Sequence, residues 1–444
     1  MTINSRKEIN FEKLENIAII GNGGRENALA WAIQKSNYVK NVFIIPGNGG
    51  SSKFKKCKGV ALDYRDTAKL IEKLFELNVN FIIIGPEIPL ANGLADILRE
   101  KDFCVFGPGS DGAKLESSKS WAKNFMKDGN IPTADFWKVS SLEDAEPIIK
   151  NSNESLVVKA DGLASGKGVF IPEDRNETLD ITEQILNGKF GNAGNIVVLE
   201  ERLKGPEVSV FALCDGKKYV VLPTAQDHKR LEEGDKGLNT GGMGAYSPTP
   251  LICQNDLKEI CEKIIDPTIK GLIKKKIDYR GVLYIGLMIT ESGAKVIEYN
   301  CRFGDPECQT IMPLMDKNFV NLLYECAMGD LHTQHHIMTN NKVSGCVIAS
   351  STGYPQNYEV GYKIQLENIE DDNLQVFHSG TIINESKELV TDGGRVLSIV
   401  CQNKDFDSAF KKAYEYLDKV KFQGIFYRRD IGHQVRESLK GEQN

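Results

Sequence analysis

The stretch Val296 to Gln309 reads VIEYNCRFGDPECQ. An apolar run, GVLYIGLMIT, precedes it at 281–290, and Glu291-Ser292-Gly293 makes a turn between the two. Two such runs joined by a short glycine turn predict a β-hairpin whose second strand carries chemistry. Side chains alternate faces along a strand, so Val296, Glu298, Asn300 and Arg302 are expected on one face and Ile297, Tyr299 and Cys301 on the other. The carboxylate of Glu298 and the carboxamide oxygen of Asn300 on one face suit a hard cation such as Mg²⁺. Arg302, next on that face, is placed to hold phosphate oxygens that the metal leaves uncovered. A half-buried strand with solvated polar residues would show the same alternation. The acidic turn Gly304-Asp305-Pro306-Glu307 straight after the strand favours the metal site.

Outward from the hairpin, AQDHKRLEEGDKGLNTGGMGAYSP (225–248) is the longest irregular segment, and loops of that length inside a domain are functional or disordered. Asp227, His228, Lys229 and Arg230 bring both charge signs together, and NTGGMGAY offers backbone amides to anions. A helical stretch at 255–276 ends in the solvated run Lys274-Lys275-Lys276. NIVVLEERLKGPEVSV (195–210) reads strand, connector, strand. Such connectors offer backbone groups to an adenine edge, and plain solvation of the glutamates is the alternative. SLVVKADG (155–162) is a strand, followed by LASGKG and a second strand, VFIP. Gly162-x-x-x-Gly166-Lys167-Gly168 resembles a P-loop, but its spacing is one residue short, no Ser or Thr follows the lysine, and a strand follows in place of a helix. A glycine hairpin that closes over phosphates is the better reading. Lys159 lies inside an apolar strand, where a lysine needs an anionic partner. KSWAKNFMKDG (119–129) is an amphipathic helix, broken by Ile131-Pro132-Thr133.

The first 117 residues alternate strands and helices: NIAII (16–20), NVFIIPGN (41–48), FIIIGPE (81–87) and FCVFGP (103–108), with helices after GNGGRE (21–26) and around 66–77. That alternation predicts a parallel, doubly wound sheet. A dinucleotide fingerprint fails twice. Glu26 stands where the third glycine belongs, and the second strand ends in Pro46-Gly47-Asn48 with no acidic residue for a ribose hydroxyl. The turns GNGGRE, PGN and GPE lie at carboxyl ends of strands, where such sheets bind ligands. Backbone amides of the first turn, at a helix N-terminus, are suited to a phosphate, unless the glycines serve only to make tight turns.

Downstream, LHTQHH (331–336) holds His332, His335 and His336, read as a polar helix end because no acidic or cysteine partner is near in sequence. KVSGCVIAS, GYKIQL, LQVFHSGTI and RVLSIVCQ make a mainly β region from 338 onward, closed by the helix FDSAFKKAYEYLDKV (406–420), and the last residues are expected to fray.

Composition sets the bounds. The chain has 444 residues, 41% hydrophobic and 26% charged, a globular composition long enough for three or four domains. A net charge of -6 argues against broad nucleic-acid binding. Apolar runs of ~10 residues or fewer are too short to span a membrane. The polar N-terminus MTINSRKEINFEKLE has no apolar signal core, and ten scattered cysteines without a C-x-x-C pair fit reduced thiols, so a cytoplasmic enzyme is expected.

The sequence resembles the glycinamide ribonucleotide synthetases (phosphoribosylamine–glycine ligases), ATP-grasp enzymes of purine biosynthesis. The matching segments are GNGGRENALAW, GPEIPLANGLAD, VVKADGLASGKGV, EERLKGPEVSV, QDHKR, NTGGMGAYSP, EYNCRFGDPECQ, SGCVIASSTGYP, GGRVLSIV and FYRRDIG, in family order from residue 17 to about 433. Leu238 departs from the family's usual proline, Pro108-Gly109-Ser110-Asp111 varies, and 281–290 lacks the further metal carboxylate that many wider ATP-grasp relatives carry there. The resemblance implies an α/β and α+β multidomain protein. A Rossmann-like N-domain would span 1–117, an ATP-grasp unit 118–337 with a lid near 133–205, and a β-rich C-terminal domain 338–444.

The implied reaction joins 5-phosphoribosylamine to glycine, turning ATP into ADP and phosphate, with Mg²⁺ or Mn²⁺, in a monomer or weak homodimer. By that resemblance Lys119, Lys159 and Gly166 hold ATP phosphates. Glu200, Glu201 and Leu203 line the adenine, Glu207 takes the ribose, and Glu298 and Asn300 hold the metal. Arg302, Lys159 and Asp227 are the catalytic candidates, Arg302 steadying the transferring phosphoryl group. Phosphoribosylamine falls to Gly23, Arg25, Glu26, Pro46, Gly47, Asn48, Gly85, Pro86 and Glu87. Asp227, Lys229, Asn239, Thr240, Gly241 and Gly242 close over both acceptors. Two other readings stay open: another ATP-grasp ligase or carboxylase, and a non-catalytic nucleotide-binding protein.

Overall fold

The computed structural model describes residues 11–164, 166–332 and 341–436. The chain opens on a five-stranded parallel sheet in the order Cys57–Gly59, Asn41–Pro46, Asn16–Gly21, Phe81–Ile84, Cys104–Phe106. Its central strands are unbroken apolar runs because both faces are covered by helices. The chain leaves Asn16–Gly21 for one side of the sheet and returns to the other, so a ligand crevice opens at the carboxyl end of that strand. The sequence expectation overran three of these strands, which stop at Pro46, Ile84 and Phe106 where Gly47, Gly85 and Gly107 begin the turns. It also missed the edge strand Cys57–Gly59, three residues of mixed polarity with no pattern to read.

A four-stranded antiparallel sheet, inside the 133–205 segment expected as a lid, follows in the order Phe136–Val139, Val197–Glu200, Val157–Ala160, Val169–Phe170. The main antiparallel sheet runs Tyr219–Val221, Glu207–Asp215, Arg280–Thr290, Gly293–Asn300. Its last two strands are the expected hairpin. Simple alternation fails inside it, because Leu287 pairs with Val296 and Gly286 with Glu298, leaving Ile297 as an extra residue. Such a bulge reverses the facing of everything on one side of it. Val296 therefore packs in the core with Tyr299 and Cys301, while Ile297 lines the cleft beside Glu298 and Asn300.

A third antiparallel sheet takes Gln226–Asp227, Gly244–Ser247, Val343–Ser351, Arg395–Asn403 and Leu374–His378 in that order, with Ile425–Phe426 added to Val343–Ser351. The 225–248 segment is thus not irregular. Its ends form two strands of this sheet, and Arg230–Glu232 and Lys236–Asn239 pair as a hairpin between them. The sheet therefore draws strands from both sides of residue 338. GYKIQL, by contrast, is not a regular strand and touches its neighbours through isolated bridges at Lys363 and Gln365. The helix Phe406–Leu417 covers the sheet, burying Phe406, Phe410 and Leu417. His332 has an acidic partner after all, with Nδ1 3.0 Å from Glu325 Oε2, whereas His335 and His336 lie outside the described residues. Among the described residues no helix is long and apolar enough to cross a membrane.

Candidate active site

The lid sheet and the main sheet face each other across a cavity of about 580 Å³. The cleft face of the lid carries Lys159, because Val158 and Ala160 on either side of it point into the lid core. Val157 pairs with Glu200 and Lys159 with Val198, so Lys159 and Glu200 are diagonal neighbours on that face. Lys159 Nζ lies 3.0 Å from Glu200 Oε1 and donates to Ile297 O at 3.1 Å. The anionic partner expected for this lysine is therefore Glu200. Lys123, from the helix Lys119–Asp128, holds the other oxygen of that carboxylate at 2.8 Å and is almost fully buried. Burial pulls the Lys123 ammonium down to about 8 even though Glu200 raises it. The Glu200 side chain is thus occupied by two lysines, which leaves only its backbone for an adenine. On the connector, Glu201 N–H donates to Asp135 O. The Leu203 N–H has no hydrogen-bond partner among the described residues.

Across the cleft stand Glu298 and Asn300. Burial opposes the charge on Glu298, but Lys229, Lys159, Lys119 and Arg302 together hold its carboxyl below the ordinary range. Asn300 Nδ2 points to Glu298 Oε1 at 3.5 Å, leaving its Oδ1 free to ligate. An ionised carboxylate beside a carboxamide oxygen is an all-oxygen donor set, and it fits a hard divalent cation. A narrower cavity of about 150 Å³ brings Lys119 to this pair together with Gly166. Lys119 Nζ donates to Gly162 O at 3.2 Å, and burial, then Lys159, lowers its affinity for a proton.

Glu207, assigned to a ribose by the family pattern, has its carboxylate on Lys229 Nζ at 2.6 Å. Asp227 lines the same cavity. Desolvation pushes its carboxyl up to about 8, with Lys229 opposing and Glu307, Glu207 and Glu298 adding to the rise. Burial works against the charge on Lys229, yet Glu207 and Asp227 raise it well above the usual lysine value. Asn239, Thr240 and Gly241 also line the cavity. Gly242 folds behind them, its N–H donating to Thr240 Oγ1 at 3.0 Å.

Arg302 is not the next residue on the strand face. The strand ends at Asn300, and the guanidinium sits between Glu116 Oε1 at 3.0 Å and Glu87 Oε2 at 3.4 Å. Glu116 also accepts the Cys301 N–H at 2.8 Å and so fixes the chain where it leaves the strand. Nothing in the sequence near Glu116, inside AKLESS, marks it.

The N-domain turns form a separate cluster beside this cleft. Glu26 folds back so that Oε2 accepts the Gly23 N–H at 2.7 Å, and a Cβ on Gly85 would meet Glu26 Oε1 at 2.0 Å. Glu26 thus fills the space that a third glycine would leave open. Arg25 is buried against it, with Nε–Oε1 at 2.6 Å, and donates from Nη1 to Phe303 O. The Arg25 N–H reaches Asp305 Oδ2 at 3.3 Å. Two amides of the turn expected to meet a phosphate, those of Gly23 and Arg25, thus already donate to carboxylates. Asn48 is likewise committed. Its Nδ2 donates to Asn22 O and His378 O, and its Oδ1 accepts from Gly50 N–H. Pro46, Gly47, Gly85 and Pro86 shape these turns, and of the set Glu87 alone reaches the cleft, through Arg302.

Two further features lie outside the expected set. Another cavity, about 1020 Å³, opens beside the connector between Trp137, Leu156 and Lys295, and Lys159, Glu298 and Asn300 are not part of it. His228, Asp235 and His433 bring potential ligand atoms within 4.8 Å of one another. There Arg428 Nη1 lies 2.8 Å from Asp235 Oδ1 and Gly432 N–H donates to His228 Nε2, so the cluster is a hydrogen-bonded clasp.

Comparison with known proteins agrees with this architecture from end to end. The N domain, ATP-grasp (A) domain and C domain of phosphoribosylglycinamide synthetase match residues 15–116, 117–308 and 344–434. Phosphoribosylamine–glycine ligase from a Nostoc species is 43% identical over 94% of this chain and 99% of its own length. The same-named protein of Clostridium acetobutylicum is 41% identical at the same coverage. The crystal structure of phosphoribosylamine–glycine ligase from Thermotoga maritima superposes with a TM-score of 0.81 at 34% identity, covering 94% of this chain and 100% of that one. A biotin carboxylase from Campylobacter jejuni shares the fold at 16% identity and a TM-score of 0.71, covering 95% of each chain. A mixed α/β chain with an ATP-grasp cleft, matched along nearly its whole length, belongs to the phosphoribosylglycinamide synthetase family.

Proposed function

We propose that the protein is an ATP-dependent ligase that joins 5-phosphoribosylamine to glycine, giving glycinamide ribonucleotide, ADP and phosphate in purine biosynthesis. The observation that carries this reading is the meeting of Lys119, Lys159, Glu298 and Asn300 in one cleft that continues past Arg302 to Glu87. A carboxylate oxygen of glycine attacks the γ-phosphorus of ATP and ADP leaves. The amine nitrogen of phosphoribosylamine then attacks the acyl carbon of the resulting glycyl phosphate. It loses a proton, and phosphate leaves.

The chain contributes positioning and charge. Lys119 and Lys159 neutralise ATP phosphates, and Lys123 with Glu200 holds Lys159 in place. The connector meets the adenine through backbone groups, Leu203 N–H among them. Glu298 and Asn300 would hold Mg²⁺ or Mn²⁺, which when bound neutralises phosphate charge. Arg302, steadied by Glu116 and Glu87, faces the transferring phosphoryl group. Asp227 and Lys229, with the Asn239–Gly242 loop, surround the acceptors. Glu87 and the turns beside Glu26 take the ribose phosphate. Glycyl phosphate hydrolyses in water, so the 162–168 hairpin closes over it. The chain divides into 1–117, 118–337 and 338–444, with the strands Gln226–Asp227 and Gly244–Ser247 packed into the C-terminal sheet. A cytoplasmic monomer or weak homodimer completes the reading.

The test is ADP release with glycine and freshly made phosphoribosylamine, each omitted in turn. Release that needs both substrates is the expected result. Bicarbonate-dependent release without glycine would transfer the protein to the carboxylase branch of the fold.

A further inference from the structure

The side chain of Arg395 joins three parts of the molecule that are distant in sequence. It enters from the strand Arg395–Asn403 of the C-terminal sheet. Nη1 donates to Gly241 O at 2.6 Å and to Asp305 O at 2.7 Å, and Nη2 lies 3.2 Å from Asp305 Oδ1. Asp305 in turn accepts the Arg25 N–H on Oδ2 and Gln309 Nε2 on Oδ1. Burial opposes the charge on Asp305, but Arg395 and Arg25 hold its carboxyl below the usual range. From the other side, the Gly241 N–H donates to Tyr354 OH at 2.9 Å. The loop is pressed so closely onto this junction that a Cβ on Gly242, where φ is +113°, would stand 2.5 Å from Pro306 Cδ. A lysine would not reproduce this contact, since the two carbonyls and the carboxylate are met by two different nitrogens of one planar guanidinium, whereas an ammonium offers its donors from a single atom.

We infer that Arg395 is a positioning residue for the two non-nucleotide substrates, locking the Thr240–Gly242 loop to the Asp305 turn and, through Asp305, to the first turn of the Gly24–Ile33 helix. The ATP side of the cleft, built on Lys119, Lys159 and Glu298, receives no bond from Arg395. This inference rests on the ligase reading for its substrates. Its loop-holding part can be measured without any substrate.

The experiment compares wild type, Arg395→Met and Arg395→Lys in steady-state kinetics and in hydrogen exchange of the full-length protein without ligands. Arg395→Met should raise the KM for glycine and for phosphoribosylamine by ~10-fold or more, as expected for loss of charge-assisted bonds. The KM for ATP should stay within about two-fold. Amides 240–243 should exchange faster, while those of the Val157–Ala160 strand keep the wild-type rate. Arg395→Lys keeps a cation beside Asp305 and should fold normally without recovering either KM, so it carries the test if the methionine variant does not fold. Unchanged KM values, full recovery by lysine, or unaltered exchange at 240–243 would each overturn the inference. Wild-type protein that releases no ADP with both substrates would instead sink the ligase reading, and the exchange comparison would still decide whether Arg395 holds the loop.

Discussion

Lys159 Nζ lies 3.0 Å from Glu200 Oε1, and Glu200 presents its other oxygen to Lys123 Nζ at 2.8 Å. One buried carboxylate thus aligns a lysine that lines the cleft with a second one packed against it. Removing one member of such a buried group leaves charge that the others must absorb.

Lys159→Met keeps the aliphatic stem and removes the ammonium. ATP affinity measured by calorimetry should fall ~10-fold or more, the worth of one charge-assisted contact. Glu200 keeps Lys123, so the fold should persist. Wild-type affinity in this variant would make Lys159 a structural lysine.

Glu298→Gln changes one carboxylate oxygen to an amide nitrogen with little change of shape. Turnover should fall ~100-fold or more, since a metal-held phosphoryl group loses its charge partner. Circular dichroism melts should show a folded protein. A well-folded variant with wild-type turnover would remove Glu298 from the metal site.

Desolvation pushes the Asp227 carboxyl up to about 8, with Lys229 pulling the other way and Glu307, Glu207 and Glu298 adding to the rise. Its folded value lies above the unfolded value of about 4, so between the two the folded chain holds a proton that the unfolded chain has released. The stability linked to that proton is complete below pH ~4 and is lost as pH rises through about 8. Melting of the ligand-free protein at a series of pH values should therefore show a decline toward alkaline pH that is shallower in Asp227→Asn. Equal slopes in the two proteins would show that Asp227 does not carry the raised titration.

Glu87→Gln should raise the KM for phosphoribosylamine and leave that for ATP nearly unchanged, because Glu87 lies on the N-domain side of Arg302. Arg25→Ala is a poorer probe of the same pocket. It strips a buried partner from Glu26 and is expected to cost ~3–5 kcal/mol of stability. If Glu87→Gln weakened ATP alone, the assignment of substrates to the two ends of the cleft would be wrong.

The sequence by itself determined the features whose cause is local. Period-two alternation and unbroken apolar runs located the main hairpin and the central strands of the parallel sheet. Glu26 in place of a third glycine argued against a dinucleotide turn, and the lone Lys159 in an apolar strand announced a buried anionic partner. Glu298 and Asn300 were legible because residues two apart share a strand face when no bulge intervenes between them.

Tertiary structure decided whatever depends on partners far along the chain. The bulge at Ile297 arises from pairing with Gly286 and Leu287, so alternation within 296–302 alone placed Val296 on the wrong face. Gln226–Asp227 and Gly244–Ser247 are too short to show a period, and they become strands because Val343–Ser351 offers an open edge to Gly244–Ser247. The amides of GNGGRE look free in sequence, but Glu26 and Asp305 arrive to accept two of them. Glu116 and Arg395 carry no local signal. Each acts through one side chain meeting a backbone 185 or 154 residues away, and such a meeting exists only once the sheets have packed.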